Sequence, residues 1–265
     1  MLQPVSMAGG VFNVADSDKF HKGIELIKES LFDKGATFFC SDNLITWNKN
    51  LSFLRDEFFS GLLSDDKDNL IEKSVILRTY ILLYFAEIAS SVEGDFLELG
   101  CHTGYTASKV IQKVDFAKTA KKYFLCDLFE WKEGDAHTHL AGHDNARMFE
   151  DVQERFSEFD FVKIIKGSVP QSFSGGFPDK IAFAHLDMNH PDPEAGALKA
   201  VLPKLSRGGV VILDDYGWWG YSAQKIALDP IIKENGLSVL ELPTGQGLIL
   251  RPCNVERELV SQFMP

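Results

Sequence analysis

Three aspartates carry the strongest chemical signal in the chain. Asp187 ends the apolar run Ile181-Ala-Phe-Ala-His-Leu, and Asp214-Asp215 ends the run Gly209-Val-Val-Ile-Leu. The two sites are about 27 residues apart, close to one strand–helix–strand step. If the runs are neighbouring strands, three carboxylates meet at one point, and so much negative charge needs a cation. Hard oxygen ligands suit Mg2+ or Ca2+, with Mn2+ as a further choice. The same acids could instead cap a helix and start a loop. Their placement at the ends of adjacent apolar strands favours the cation. Upstream, Glu98-Leu-Gly100-Cys-His-Thr-Gly104 joins an apolar strand to a helix-like run. Glycines in such a turn let the backbone bend tightly and approach a ligand, and the helix N-terminus attracts an anion. A plain connecting turn is the alternative. The dinucleotide pattern GxGxxG is absent, and Glu98 would repel a pyrophosphate but suit an ammonium group. Asp127 ends the next strand, where an acid either accepts bonds from ribose hydroxyls or caps a loop.

The elements that must position these residues begin at Gly94. Strand-like runs at Phe96-Leu-Glu-Leu, Lys122-Tyr-Phe-Leu-Cys-Asp, Phe161-Val-Lys-Ile-Ile, Ile181 to Asp187 and Gly209 to Asp215 alternate with helical patterns at 105–114, 146–156, 194–205 and 220–235. Such alternation predicts a doubly wound α/β fold with a parallel sheet. Right-handed crossovers then bring all strand C-terminal ends to one edge, where ligands bind. Two further strands at 237–242 and 247–251, joined by the hairpin Thr244-Gly-Gln-Gly247, close the sheet. Residues 1–92 read as a mostly helical extension, ahead of a domain at 93–265. Its helices, with Trp47, Phe58 and Phe59, form a core, a lid or a homodimer surface.

Composition narrows the classes. The 265 residues are 45% hydrophobic and 25% charged, which is globular. The net charge of −11, with no Lys/Arg cluster, argues against nucleic acid as a partner. No apolar run approaches the roughly 20 residues a membrane span needs, and the first residues lack the pattern of a signal peptide. Four scattered cysteines with no CxxC pair suit reduced thiols and a cytoplasmic setting.

The segment Glu98-Leu-Gly-Cys-His-Thr-Gly-Tyr-Thr-Ala107 resembles motif I of class I S-adenosylmethionine-dependent methyltransferases, in detail that of catechol O-methyltransferase. The runs Cys126-Asp-Leu-Phe-Glu130, Ile181 to Asp187 and Leu202-Pro-Lys-Leu-Ser-Arg-Gly-Gly-Val-Val-Ile-Leu-Asp-Asp-Tyr216 are more similar to the macrocin O-methyltransferase family, which methylates sugars of antibiotics. The resemblance covers roughly residues 75–250. It implies a Rossmann-like sheet of seven strands with the last antiparallel. It implies that Glu98, Gly100, His102, Gly104 and Thr106 surround the methionine part of S-adenosylmethionine, that Asp127 holds the ribose, and that Ser168 lies near the adenine. Asp187, Asp214 and Asp215 would bind Mg2+, which chelates two neighbouring oxygens of the acceptor.

One departure bears on the mechanism. The sugar-modifying family has a second acid two positions after the first metal ligand, and here that position is Asn189. In the catechol enzyme the base follows the first aspartate by three positions. That offset falls on His190, an imidazole being a general base near neutral pH; a polar turn residue before Pro191 is the alternative. His137, His139 and His143 lie in a long polar loop after Asp127, where acceptor contact and plain exposure both rank above a zinc site. Tyr216, Trp218 and Trp219 offer an apolar wall for a ring, or packing against the extension.

The expected activity is Mg2+-dependent O-methyl transfer to a hydroxyl of a small molecule, a natural-product sugar or a catechol-like ring. A metal-independent N-methyltransferase and a non-catalytic cofactor-binding protein are the alternatives.

Overall fold

The computed structural model describes residues 5–32, 37–64, 73–130 and 145–253. His137, His139 and His143 lie outside the described residues. The chain divides into two compact units, Met1–Leu82 and Leu83–Pro265.

The first unit holds β1 (Met7–Ala8), α1 (Ser17–Ser30), β2 (Phe38–Ser41), β3 (Leu44–Trp47), α2 (Glu57–Ser64) and the start of α3 (Ile76–Ala89). A mostly helical reading leaves out its small sheet, ordered β1-β2-β3. The omission has a local cause. All four residues of β2 are buried, so the strand shows no alternation to detect. Its turn is nevertheless written in the chain. Asp42 and Asn43 both adopt positive φ, 52° and 56°, as a tight hairpin of this twist demands. Ile24 of α1 packs with Phe38 and Cys40 of β2. Arg78 closes on the Asp42 carboxylate with two bonds, at 2.8 and 3.1 Å. Phe59 is buried and meets Phe53 and Tyr80 edge to face, a core role, whereas Trp47 is exposed at the end of a strand.

The second unit holds the doubly wound sheet. Its elements are β4 (Asp95–Leu99), α4 (Tyr105–Lys113), β5 (Tyr123–Asp127), α5 (Met148–Arg155), β6 (Val162–Lys166), β7 (Ile181–Leu186), α6 (Pro191–Lys204), β8 (Leu205–Leu213), α7 (Ser222–Glu234), β9 (Leu240–Glu241) and β10 (Gly247–Leu250). The seven strands run β6-β5-β4-β7-β8-β10-β9. The first five are parallel; β10 is antiparallel to both β8 and β9. This is the sheet the sequence predicts, with β9 shorter than its apolar run. Every residue of β7 is buried, which is why it reads as a continuous apolar run. Leu97, Leu99, Ala184 and Leu186 of the sheet share one core with Leu198, Val201 and Leu202 of α6 and with Leu228, Ile231 and Ile232 of α7.

Strand order reverses at β4, whose neighbours are β5 on one side and β7 on the other. That is the switch point beside which open α/β sheets bind ligands. The ladder continues past the strand ends. Gly100 N–H donates to Cys126 O, Asp187 N–H to Leu99 O, and Asp214 N–H to Leu186 O, at 2.8 to 3.0 Å. Backbone pairing alone therefore lines up Gly100, Asp127, Asp187 and Asp214 along one edge.

Candidate functional site

Gly100 adopts φ +88°, and a Cβ there would overlap the carbonyl oxygen of Asp187. The glycine is thus demanded first by the close approach of the neighbouring strand end. Gly104 adopts φ +74° as the N-cap of α4, and a Cβ on it would sit 2.5 Å from the Phe156 ring. Between them His102 is also left-handed, with φ 47°. Its N–H donates to Asp127 Oδ2 at 2.7 Å. Asp127 Oδ1 accepts from Phe129 N–H at 2.9 Å. One carboxylate therefore ties the turn after β4 to the turn after β5. Burial pushes the Asp127 pKa up, against the downward pull of these two N–H bonds. Thr106 lies in the first turn of α4, and Ser168 is exposed just after β6.

Glu98 points elsewhere than the sequence suggests. It is 1% exposed, accepts from the Tyr123 hydroxyl at 2.6 Å, and faces His185 Nδ1 at 3.6 Å. His185 sits on β7 two residues before Asp187, which follows the strand end, and its Nε2 lies 3.5 Å from Asp214 Oδ1. A polar row thus crosses the sheet: Tyr123, Glu98 and His185, buried on three strands, then the half-buried Asp214 just past the end of β8. Burial opposes an imidazolium, but the Asp214 and Glu98 carboxylates outweigh it and hold the His185 pKa well above the ordinary histidine value. The strand period could have singled out His185; no local pattern marks its partners. Cys101, in the same turn, is buried, and burial drives its thiol pKa well up, so it is no nucleophile.

The expected acidic centre forms in part as a tight group. Ligand atoms of His185, Asp187 and Asp214 all lie within 4.8 Å of one another, compact enough for one ion to reach several of them. Asp215 is buried beside them. Burial first, then the charges of Asp214 and Asp215, pushes the Asp187 pKa well above the ordinary carboxylate value. That strain is what a cation relieves, so the donor set fits a hard divalent ion. Asn189, in the place of the family's second acid, adopts φ 55° and donates its Nδ2 to Asp187 Oδ1 at 3.1 Å. Glu194 lies behind this loop, taking bonds from Met188 N–H and Gln224 Nε2. Burial chiefly pushes its pKa up to about 7.

His190 is exposed and caps α6, its Nδ1 accepting from Asp192 N–H at 3.3 Å. A neutral ring that accepts at Nδ1 carries its proton on Nε2. It can take a second proton only at Nδ1, giving up the cap. Trp219 is 92% exposed, whereas Trp218 donates Nε1–H to Thr244 O at 3.1 Å. Gln246 joins the site without any local pattern in the sequence to mark it. Fully buried in the last hairpin, it donates Nε2–H to Asp214 Oδ1 at 3.1 Å.

Comparison with known proteins agrees with this geometry. Residues 97–216, from within β4 to just beyond the paired aspartates, match a family model described as a methyltransferase domain. The 8-demethyl-8-(2,3-dimethoxy-alpha-L-rhamnosyl)-tetracenomycin-C 4'-O-methyltransferase of Streptomyces olivaceus is 28% identical over 146 residues, covering 49% of this chain and 55% of that protein. The chain therefore spans about half the length of this curated relative. Two solved structures share the fold. The O-methyltransferase NovP has a TM-score of 0.54 at 20% identity, over 67% of this chain and 81% of its own. The calicheamicin methyltransferase CalS11 has a TM-score of 0.52 at 12% identity, over 90% and 93%. The sheet of seven strands closed by an antiparallel strand, with the Gly100–Gly104 turn at its switch point, is thus a Rossmann-like methyltransferase fold, and residues 97–216 of it match a methyltransferase domain.

Proposed function

We propose that the protein is a divalent-cation-dependent O-methyltransferase whose acceptor is a small molecule with neighbouring hydroxyls. The observation that carries this reading is the group of His185, Asp187 and Asp214 ligand atoms at the sheet edge next to the Gly100–Gly104 turn, with the charge of Asp215 felt at Asp187. The tetracenomycin relative is named for methylating a sugar-bearing compound, and this favours a rhamnose-like sugar over a catechol-like ring.

When bound, S-adenosylmethionine would supply an electrophilic methyl on sulfonium, and Mg2+ would lower the pKa of the acceptor hydroxyl. The remaining work falls to the chain. Asp127 accepts from the ribose hydroxyls while keeping its two backbone bonds. Gly100, His102, Gly104 and Thr106 shape the turn around the methionine part, and Ser168 borders the adenine. Glu98 acts beneath this turn, through Tyr123 and His185, in place of a direct contact. Asp187, Asp214 and Asp215 hold the cation. His190 accepts the hydroxyl proton at Nδ1, which releases the Asp192 N–H, so proton uptake and movement of the α6 start are linked. The chain's further contribution would be to hold the acceptor oxygen in line with the methyl group, and much of the rate would come from that alignment.

Calorimetry tests the reading. Cofactor should bind in chelator, and added Mg2+ should give a separate signal that Asp214→Ala abolishes. Cofactor binding with no Mg2+ signal would favour the metal-free N-methyltransferase. Loss of cofactor binding in both buffers would sink the methyltransferase activity itself. Turnover should then appear on rhamnosides, and His190→Ala should lower kcat about 10²-fold or more.

A further inference from the structure

The hairpin between β9 and β10 reaches the acidic centre from the far side of β8. Gly247 pairs with Leu213, so the antiparallel register sets Gln246 against Asp214. Both flanking glycines are needed for this approach. A Cβ on Gly245 would overlap the Trp218 indole, and one on Gly247 would lie 2.8 Å from the Tyr216 ring. Gly217 N–H donates to Gly245 O at 2.7 Å, and Leu242 N–H to Gln246 O at 2.8 Å. The segment after the paired aspartates is thereby clasped by the hairpin.

Inside this clasp the Gln246 amide is held between two partners. Thr244, also buried, donates its hydroxyl to Gln246 Oε1 at 3.1 Å, which turns the NH2 group toward Asp214. His185 Nε2 approaches the same oxygen, Asp214 Oδ1. Two nitrogens on one oxygen fix the rotation of that carboxylate about its Cβ–Cγ bond. A pre-oriented ligand loses less freedom when an ion binds, and outer partners of metal ligands commonly set affinity within 10- to 100-fold.

We propose that Gln246, oriented by Thr244, is a positioning residue that presents the Asp214 carboxylate to the divalent cation. This rests on the proposed function's reading of Asp214 as a cation ligand. The hairpin thus couples the last two strands of the sheet to the site.

The test measures Mn2+ binding by electron paramagnetic resonance, alongside cofactor binding by calorimetry in chelator. Gln246→Met keeps the volume and removes the donor. It should weaken Mn2+ about 10- to 100-fold and leave the cofactor Kd within about twofold. Thr244→Val should weaken Mn2+ several-fold, and Thr244→Ser, which keeps the hydroxyl, should restore it. The Thr244 pair decides the matter if Gln246→Met does not fold. Wild-type Mn2+ affinity in Gln246→Met, or in both Thr244 variants, overturns the proposal. So does joint loss of cation and cofactor binding, which marks a merely structural hairpin. If the wild-type chain binds no Mn2+, the cation reading fails, and this assignment fails with it.

Discussion

Glu194 shows how a single buried group makes the site respond to pH. Its carboxyl lies under the loop that carries Asp187 and Asn189, and burial raises its pKa from the usual 4.5 to about 7. The unfolded chain ionises it near 4.5, the folded chain only near 7. Its contribution to stability is therefore whole below about pH 4.5 and is lost as pH rises through 7. Glu194→Gln keeps an acceptor for Met188 N–H and removes the titration. Measured by denaturant unfolding in chelator, wild type should lose about 3 kcal/mol relative to this variant between pH 4.5 and 7.5, then run level. Parallel profiles would show that Glu194 keeps an ordinary pKa. Neither the raised carboxyl nor its partner Gln224 has a mark in the local sequence, because both arise from packing of α6 on α7.

At the scale of elements, the turn between β4 and α4 is a joint between strands before it is a ligand cradle. The glycine spacing announces a tight turn, but the reason for Gly100 is the carbonyl of Asp187 on the next strand. Gly100→Ala would force a side chain into that oxygen at φ +88°. Overpacking and left-handed strain together should cost about 3 kcal/mol or more, roughly 10 °C in the melting temperature of a unit this size. Circular dichroism would read it. An unchanged melting temperature would mean that β7 can withdraw from the turn. Helix α6 shows the reverse dependence. Its cap is His190, so the residue nominated from its offset as a base already has a structural bond to Asp192 N–H.

For the whole molecule, the proposed function predicts that S-adenosylmethionine stabilises the second unit through mass action. At 100 times its Kd, S-adenosylmethionine contributes about 2.7 kcal/mol, a rise of roughly 5–10 °C in Tm. Asp127→Ala, which removes the proposed ribose acceptor and the brace between two turns, should abolish the rise. Asp214→Ala should keep it and lose only the added effect of Mg2+. Thermal scans with and without each ligand check both, and a cofactor effect that survives Asp127→Ala would remove Asp127 from the site. The described helices include none long and apolar enough to cross a membrane. The cysteines are free, three of them buried and Cys253 exposed.

Local patterns in the chain specify the sheet and the ends of its strands. Apolar runs bounded by Glu98-Leu-Gly, Asp127, Asp187 and Asp214-Asp215 are local patterns, and parallel pairing carries such ends to one edge. Such patterns also specify the motif I turn, whose backbone demands glycine within a few residues. The tertiary structure alone decided what lies beneath and beside that edge. Tyr123, Glu98 and His185 belong to three strands and Asp214 follows a fourth, and Gln246 reaches Asp214 only through the antiparallel register of β10 on β8. Residues far apart in sequence leave no periodic trace of their pairing, because their hydrogen bonds exist only after the sheet has closed. The same holds for the small sheet of the first unit, whose β2 is buried on both faces and so lacks the alternation that would betray a strand.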